Sequence, residues 1–322
     1  MPLHPQAEAV IKGVESMGLP PFETMSLEEG RNVISAFANF MLPAEEVASV
    51  LDTVVPAAET DIPLRIYTPA EGQGEGLRPA IIYFHGGGFS TGSIDLVDPV
   101  CRALANRSGC IVVAVAYRLG PEHPYPAAVQ DAYNATAWIH AKGPVFGIDT
   151  DRLAVMGDSA GANLATVVCM ILRDKEEPAK INVQVLIYPV TDMATDESPS
   201  RQEFAEGYLL TAGMMTWFKG HYMSGCDEDA VADPYCSPLF MENLAGLPPA
   251  IIIVAEYDPL RDEGVEYATR LKEAGVFVDL RREKGMIHGF FWMGGAIDRG
   301  REIIDELGTD LRQYLLDYDI VE

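Results

Sequence analysis

The chain has 322 residues, 48% of them hydrophobic and 22% charged, enough to bury one large α/β core or two modest ones and too apolar to stay disordered. Its net charge of −25 repels nucleic-acid phosphates and anionic lipid surfaces and favours an uncharged small-molecule substrate over an anionic one. No run of 18 apolar residues occurs, so no transmembrane helix is expected.

The first segment, MPLHPQAEAVIKGVESMG, lacks a basic region followed by an apolar one, so it does not read as a secretory signal. Residues 1–48 read as helical. Within MSLEEGRNVISAFANFML the apolar Leu27, Val33, Ile34, Phe37, Phe40 and Met41 recur at helical spacing and form a candidate buried stripe. From residue 49 onward the period changes, and 49–322 reads as one α/β domain. LRIYTP (64–69) alternates like a half-buried strand, and EGQGEG (71–76) is a turn. AIIYFH (80–85), CIVVAVAY (110–117), LAVMG (153–157), VQVLIYP (183–189), AIIIVAEY (250–257) and VFVDLRRE (276–283) follow as strands. The continuous apolar runs suit the centre of a parallel sheet covered on both faces. Helical patterns at 97–107, 127–141, 161–173, 262–274 and 298–317 alternate with them, which predicts an α/β sheet wrapped by helices. Residues 190–240 break this rhythm with a polar stretch, the helical LTAGMMTWFKGHYM and a turn-rich DEDAVADPYCSP; an insertion of this kind predicts a cap. The five cysteines are odd in number and form no C-x-x-C, so buried free thiols and a reducing compartment, the cytoplasm, are expected.

Gly157-Asp158-Ser159-Ala160-Gly161 matches G-x-S-x-G. Alone this is a weak signal, because glycine frequency gives about a one-in-ten chance of such a match somewhere in the chain. Its context sharpens it: LAVMG is a strand and ANLATVVCMILRD a helix, so Ser159 falls on a tight strand-to-helix turn that exposes its hydroxyl. The helix N-terminus behind it favours developing negative charge. A serine nucleophile needs a base, and the base an orienting acid; where the serine sits on such a strand-to-helix elbow, the chain order is Ser, Asp or Glu, His. Of six histidines only His288, in KGMIHG, follows the last long apolar strand. Asp258 directly follows AIIIVAEY and is the preferred acid; Glu256, within the strand, and Asp262, in the next helix, compete with it. The oxyanion of an acyl-transfer intermediate needs backbone N–H donors, and His85-Gly86-Gly87-Gly88-Phe89 after the strand AIIYF offers the amides of Gly87 and Gly88, joined by that of Ala160. His85 itself is expected to brace the loop. GGGFSTG is not followed by G-K-[ST], so it is not a phosphate loop, and no G-x-G-x-x-G follows the first strand. No histidine, cysteine and carboxylate cluster has metal-ligand spacing, so no metal is expected.

These residues together resemble the bacterial hormone-sensitive-lipase-like esterases. The matching segments are HGGGF at 85–89, YRLGPEHPYPAAVQDAY at 117–133, GDSAGANLA at 157–165, YPVTD at 188–192, GLPPAIIIVAEYDPLRDEG at 246–264 and HGF at 288–290, spread from about residue 80 to the end. Gly120 departs from the family's more usual alanine. The resemblance implies an α/β-hydrolase fold with an eight-stranded, mostly parallel sheet, and a cap made of the N-terminal helices and the segment after YPVTD. It also implies hydrolysis of short- to medium-chain acyl esters without a cofactor, with Asp258 as catalytic acid and His288 as base. Pairing of two copies through the edge strand 276–283 is implied as well. Amide or carbamate hydrolysis in the same site is the main competing reading. A non-catalytic receptor on this fold, similar to the plant gibberellin receptors, would lack the catalytic histidine, and an interfacial lipase would want a large apolar lid. The apolar residues of the helical stripe and the insertion should pack the cap, with Phe37, Leu210 and Met214 expected to line a substrate pocket over Ser159.

Overall fold

The computed structural model describes residues 2–316 apart from 58, 71–75 and 196. The turn read at 71–76 therefore lies, Gly76 excepted, outside the described residues, as does the last position of the helix read at 298–317. Eight strands form one sheet: β1 (Ser49–Val55), β2 (Ile62–Thr68), β3 (Arg78–Phe84), β4 (Ile111–Val115), β5 (Ile148–Asp158), β6 (Val183–Ile187), β7 (Ala250–Tyr257) and β8 (Val278–Ile287), in the order β1-β2-β4-β3-β5-β6-β7-β8. β2 runs antiparallel to β1 and β4, and every other neighbouring pair is parallel.

Alternation along the central strands sorts side chains onto two faces. Ile82 and Phe84 of β3 and Ile252 and Val254 of β7 join one apolar core; Ile81 and Tyr83, with Ile251 and Ile253, join the other. On the N-terminal side of the chain lie α1 (Pro5–Ser16) and α2 (Leu27–Ala36), then α3 (Asp98–Ser108) and α4 (Ala127–Lys142). They are followed by α5 (Ala160–Asp174), α6 (Pro199–Glu203), α7 (Ala212–Tyr222), α8 (Arg261–Glu273) and α9 (Asp298–Leu316). Residues of α4, α5 and α8 pack the first core, and those of α1, α3 and α9 the second.

The start of α2 is fixed by a reciprocal cap. Ser26 Oγ accepts from the Glu29 amide, and the Glu29 carboxylate accepts from the Ser26 amide at 2.8 Å. In the N-terminal stripe Phe37 and Met41 are buried, whereas Leu27, Val33, Ile34 and Phe40 are half-buried, because this segment covers the sheet's end rather than its face. α7 meets it there: Trp217 Nε1 donates to the Met25 carbonyl at 3.0 Å, and the Phe22 and Trp217 rings stand edge to face 5.0 Å apart.

β5 begins at Ile148, five residues before the strand read at 153–157, and β1 and β8 differ from the sequence reading as well. β1 was not among the strands read, because SVLDTVV is exposed along most of its length and shows no core-facing stripe; it is held as an edge by pairing with β2 alone. β8 begins later than the strand read at 276–283 and continues through Lys284, Gly285, Met286 and Ile287. A register shift in its pairing with β7 and a bond from the Gly285 amide to the Glu256 carboxylate at 2.7 Å carry it across the glycine.

Candidate active site

The C-terminal ends of β3, β5, β7 and β8 lie along one edge of the sheet, and the chain leaves each of them directly into a residue singled out by sequence. His85 follows β3, Ser159 follows β5, Asp258 follows β7 and His288 follows β8. Ligands of open α/β sheets bind outside this edge.

Ser159 connects β5 to α5 with φ 55° and ψ −117°, a backbone conformation that side-chain-bearing residues rarely adopt. The two motif glycines make the turn possible. A Cβ at Gly157 would overlap the Gly161 backbone, and one at Gly161 would overlap the Phe84 carbonyl. The turn presents Ser159 Oγ 3.0 Å from His288 Nε2, and His288 Nδ1 lies 2.8 Å from Asp258 Oδ2. Asp258 is fully buried, and its other oxygen accepts from the Leu260 amide at 2.9 Å. The Tyr188 ring, 4.4 Å from that of His288, packs against the imidazole. Among the described residues the two competing carboxylates are engaged elsewhere. Glu256 accepts from the Gly285 amide, which holds it below the ordinary glutamate range, and Asp262 accepts from the Ser200 amide at 2.9 Å. This chain of two hydrogen bonds can carry a proton from the serine hydroxyl to an imidazole whose tautomer a buried carboxylate fixes.

The glycine loop after β3 faces this serine. Gly87 and Gly88 have φ 116° and 57°, and their N–H groups donate to no protein acceptor among the described residues. Ala160 opens α5, so its N–H has no intrahelical acceptor. The loop is pinned from below by Asp158, whose Oδ1 accepts from the Tyr83 hydroxyl at 2.7 Å and the Gly86 amide at 3.0 Å; burial pushes this carboxyl above its ordinary range. His85 stacks on Tyr117, ring centroids 4.5 Å apart, with Nδ1 2.7 Å from the Gly86 carbonyl; burial lowers its pKa to about 4, so it is neutral near pH 7. Asp158 carries a positioning task that the sequence reading gave to no residue, and its place inside G-D-S was the available signal.

The pocket above Ser159 and His288 is mainly apolar. Phe37, Leu210 and Met214 line it, together with Ile34 and Met41 from the N-terminal segment, Met215 and Phe218 from α7, and Trp292. Trp292 lies four residues beyond His288 and was legible as part of HGFFW. On the floor, Arg201 pairs with Glu263 at 2.7 Å, both buried, and the other Glu263 oxygen accepts from the Thr191 and Asp192 amides. Among the described residues no group of three histidine, cysteine or carboxylate side chains could hold a metal ion.

Comparison with known proteins gives the family and the fold. A family described as alpha/beta hydrolase fold matches residues 81–292. The chain is 42% identical to a carboxylic ester hydrolase, LipN, of Mycobacterium tuberculosis over 85% of this chain and 73% of that one. It is 40% identical to an ethyl acetate hydrolase of Pseudomonas putida over 79% of each. Among solved structures, an ester hydrolase from the metagenome of Lake Arreo superposes with a TM-score of 0.92 at 39% identity, covering 97% of this chain and 99% of that one.

Proposed function

Because the chain belongs to the hormone-sensitive-lipase-like esterases of the α/β-hydrolase fold and is a carboxylic-ester hydrolase, we propose that Ser159 is its nucleophile, His288 its general base and acid, and Asp258 the group that orients His288. The observation that carries this reading is the unbroken hydrogen-bonded line Ser159–His288–Asp258 beside free N–H groups. As Ser159 Oγ attacks the ester carbonyl carbon, its proton passes to His288 Nε2 and the carbonyl electrons move onto oxygen. The resulting oxyanion accepts from the amides of Gly87, Gly88 and Ala160. The tetrahedral species collapses, and the leaving alkoxide takes the His288 proton and departs as alcohol. A water molecule then gives its proton to His288 and attacks the acyl-serine, releasing the acid and restoring the hydroxyl.

The substrate class rests on the family together with the pocket. Phe37, Leu210 and Met214 line an apolar space over Ser159, which suits the acyl groups of about four to eight carbons that the family resemblance implies. Each methylene that finds a contact adds about 0.8 kcal/mol, or roughly fourfold in kcat/KM, until overpacking reverses the gain. The N-terminal helices and the 190–240 insertion act together as the cap that walls this space, a reading supported by the packing of Phe22 and Met25 on Trp217. A series of p-nitrophenyl esters of increasing acyl length on wild type and on Ser159→Ala tests the proposal. A preference for long-chain triglycerides, or faster turnover of the matching p-nitroanilide, would replace it with a lipase or an amidase.

No described helix is long and apolar enough to cross a membrane. Two copies pair through β8, whose edge carries Phe277 at 63% exposure beside it; a mass of one chain in light scattering at high concentration refutes this. The five thiols, four of them buried and all unpaired, support a reducing compartment such as the cytoplasm.

A further inference from the structure

We propose that Arg31 is a positioning residue through which the N-terminal helix α2 holds the oxyanion loop in register with Ser159; this rests on the ester-hydrolase reading of the site above. Arg31 is not among the residues lining the pocket, whereas Ile34, Phe37 and Met41 of the same segment are. Its guanidinium instead reaches three separate points of the chain. Nε donates to the Ser90 carbonyl at 2.9 Å, Nη2 to the Gly120 carbonyl at 3.2 Å, and the two terminal nitrogens meet both oxygens of Glu122 at 2.7 and 2.8 Å. Gly120 is itself tied to the loop, its amide donating to the Phe89 carbonyl at 2.9 Å.

The Ser90 contact matters because of what the same peptide unit does at its other end. The Ser90 carbonyl and the Thr91 amide belong to one rigid planar group. Arg31 grips the carbonyl, and the Thr91 N–H donates to the Gly87 carbonyl at 2.9 Å, seconded by the Ser90 amide at 3.1 Å and Thr91 Oγ1 at 2.9 Å. The Gly87 carbonyl in turn shares its planar unit with the Gly88 N–H, which points the opposite way in a trans peptide. Anchoring that carbonyl inside the turn therefore aims the Gly88 N–H outward, as an oxyanion donor must be aimed. Two peptide planes in series run from the Arg31 guanidinium to the donor. Gly87 and Gly88, both at positive φ, have no side chains to hold these planes, and Thr91 Oγ1 holds one of them only from within the turn. An external clamp is needed, and one that meets two carbonyls and a carboxylate at once requires the planar fork of arginine rather than the three diverging donors of lysine. Because the pocket wall and the clamp lie on one helical segment, displacement of that segment displaces the donor.

The test compares Arg31→Gln, Arg31→Lys and Glu122→Gln, each measured for kcat and KM on p-nitrophenyl butyrate, for inhibition by a trifluoromethyl ketone, and for unfolding midpoint. The ketone adds to the nucleophile as an alkoxide and so reads the oxyanion site directly. Arg31→Gln should lower kcat about 10- to 100-fold, the range expected when an oxyanion donor is misaimed rather than deleted, with KM within about threefold. The ketone should weaken by the same factor as kcat/KM. Arg31→Lys, which keeps the charge and loses the fork, should fall with Arg31→Gln rather than with wild type. Glu122→Gln leaves both carbonyl contacts in place, and Glu122 is half-exposed, so it should stay within about threefold of wild type. The proposal is overturned if Arg31→Gln retains kcat within twofold, if its lost kcat is not matched by weaker ketone binding, or if Glu122→Gln loses as much. Should Arg31→Gln not fold, Arg31→Lys is judged by the same criteria. Absence of ester turnover in the wild type would instead strike the underlying reading of the site.

Discussion

Replacing Ser159 by glycine should leave the protein more stable than replacing it by alanine. Both changes remove the hydroxyl and its bond to His288, so that loss cancels between them. They differ in the Cβ alone. At φ 55° and ψ −117° a residue with a Cβ carries strain of about 1–3 kcal/mol, which alanine retains and glycine releases. Against this, glycine loses about 0.5–1 kcal/mol more conformational freedom on folding. The balance favours glycine by about 1 kcal/mol. For a chain of 322 residues, an unfolding entropy of about 2.1 cal/mol/K per residue makes this a difference of roughly 1.5 °C in Tm. Urea unfolding followed by tryptophan fluorescence resolves 1 kcal/mol more directly, as a displaced midpoint at constant slope. If Ser159→Gly unfolds at or below the midpoint of Ser159→Ala, the turn is not strained, and its geometry must be set without cost by Gly157 and Gly161.

Ser159→Ala should keep its fold and lose turnover by several powers of ten, and a residual rate above about a tenth of wild type in a p-nitrophenyl butyrate assay refutes the covalent route. Asp258→Asn should lower kcat by about 10⁴, because an amide facing His288 Nδ1 no longer selects the tautomer that leaves Nε2 free to accept; a loss under tenfold argues for another acid. Leu210→Ala should move the preferred acyl chain longer by about two carbons, read as the maximum of kcat/KM over the ester series, and an unmoved maximum takes Leu210 out of the pocket wall. For Asp158, burial raises the folded carboxyl above its unfolded value of 3.8, so the folded state binds the proton more tightly and stability falls as pH rises from about 4 through the raised value. Asp158→Asn removes this dependence. The stability of wild type relative to the variant should therefore decline with rising pH over that window, and a constant difference in urea midpoints contradicts it.

Much of the fold can be read from short windows because its signals are local. The strands at the centre of the sheet are buried on both faces, and their unbroken apolar runs announce them. β1 escapes that reading for the opposite reason: it is an exposed edge whose existence depends on hydrogen bonds to β2, which composition does not encode. The extension of β8 depends likewise on where β7 shifts register. In the site, Ser159 and Asp258 are legible because each closely follows a strand that the pattern of hydrophobicity locates, and His288 because it alone of the six histidines lies beyond the last long apolar strand. Arg31 is not legible at all. Its partners lie 59, 89 and 91 residues away, and two of them are carbonyls, which every residue possesses.

The loops at the carboxyl edge of the sheet have left the strand ladder, yet several are buried, so their backbone polar groups need partners from outside the ladder. Side chains supply them one loop at a time. Asp158 takes the Gly86 amide, Arg31 the Ser90 carbonyl, Asp258 the Leu260 amide and Glu263 the Thr191 and Asp192 amides, while Asn163 Nδ2 donates to the carbonyls of Val190 and Cys236 at 2.9 Å. Asp158 ends β5, Asn163 stands in α5 and Glu263 in α8, so those loops are fixed to elements that cannot move without disturbing a core, while Arg31 stands in α2, outside the two main cores. That arrangement gives the acyl-transfer reading a physical basis: donors aimed in advance need no reorganisation when charge develops. It also separates two kinds of variant. Loss of one of these polar anchors leaves a buried donor or acceptor unpaired and should cost stability and kcat together. Truncation of an apolar pocket residue removes contacts with the acyl chain and should change selectivity with the anchors intact.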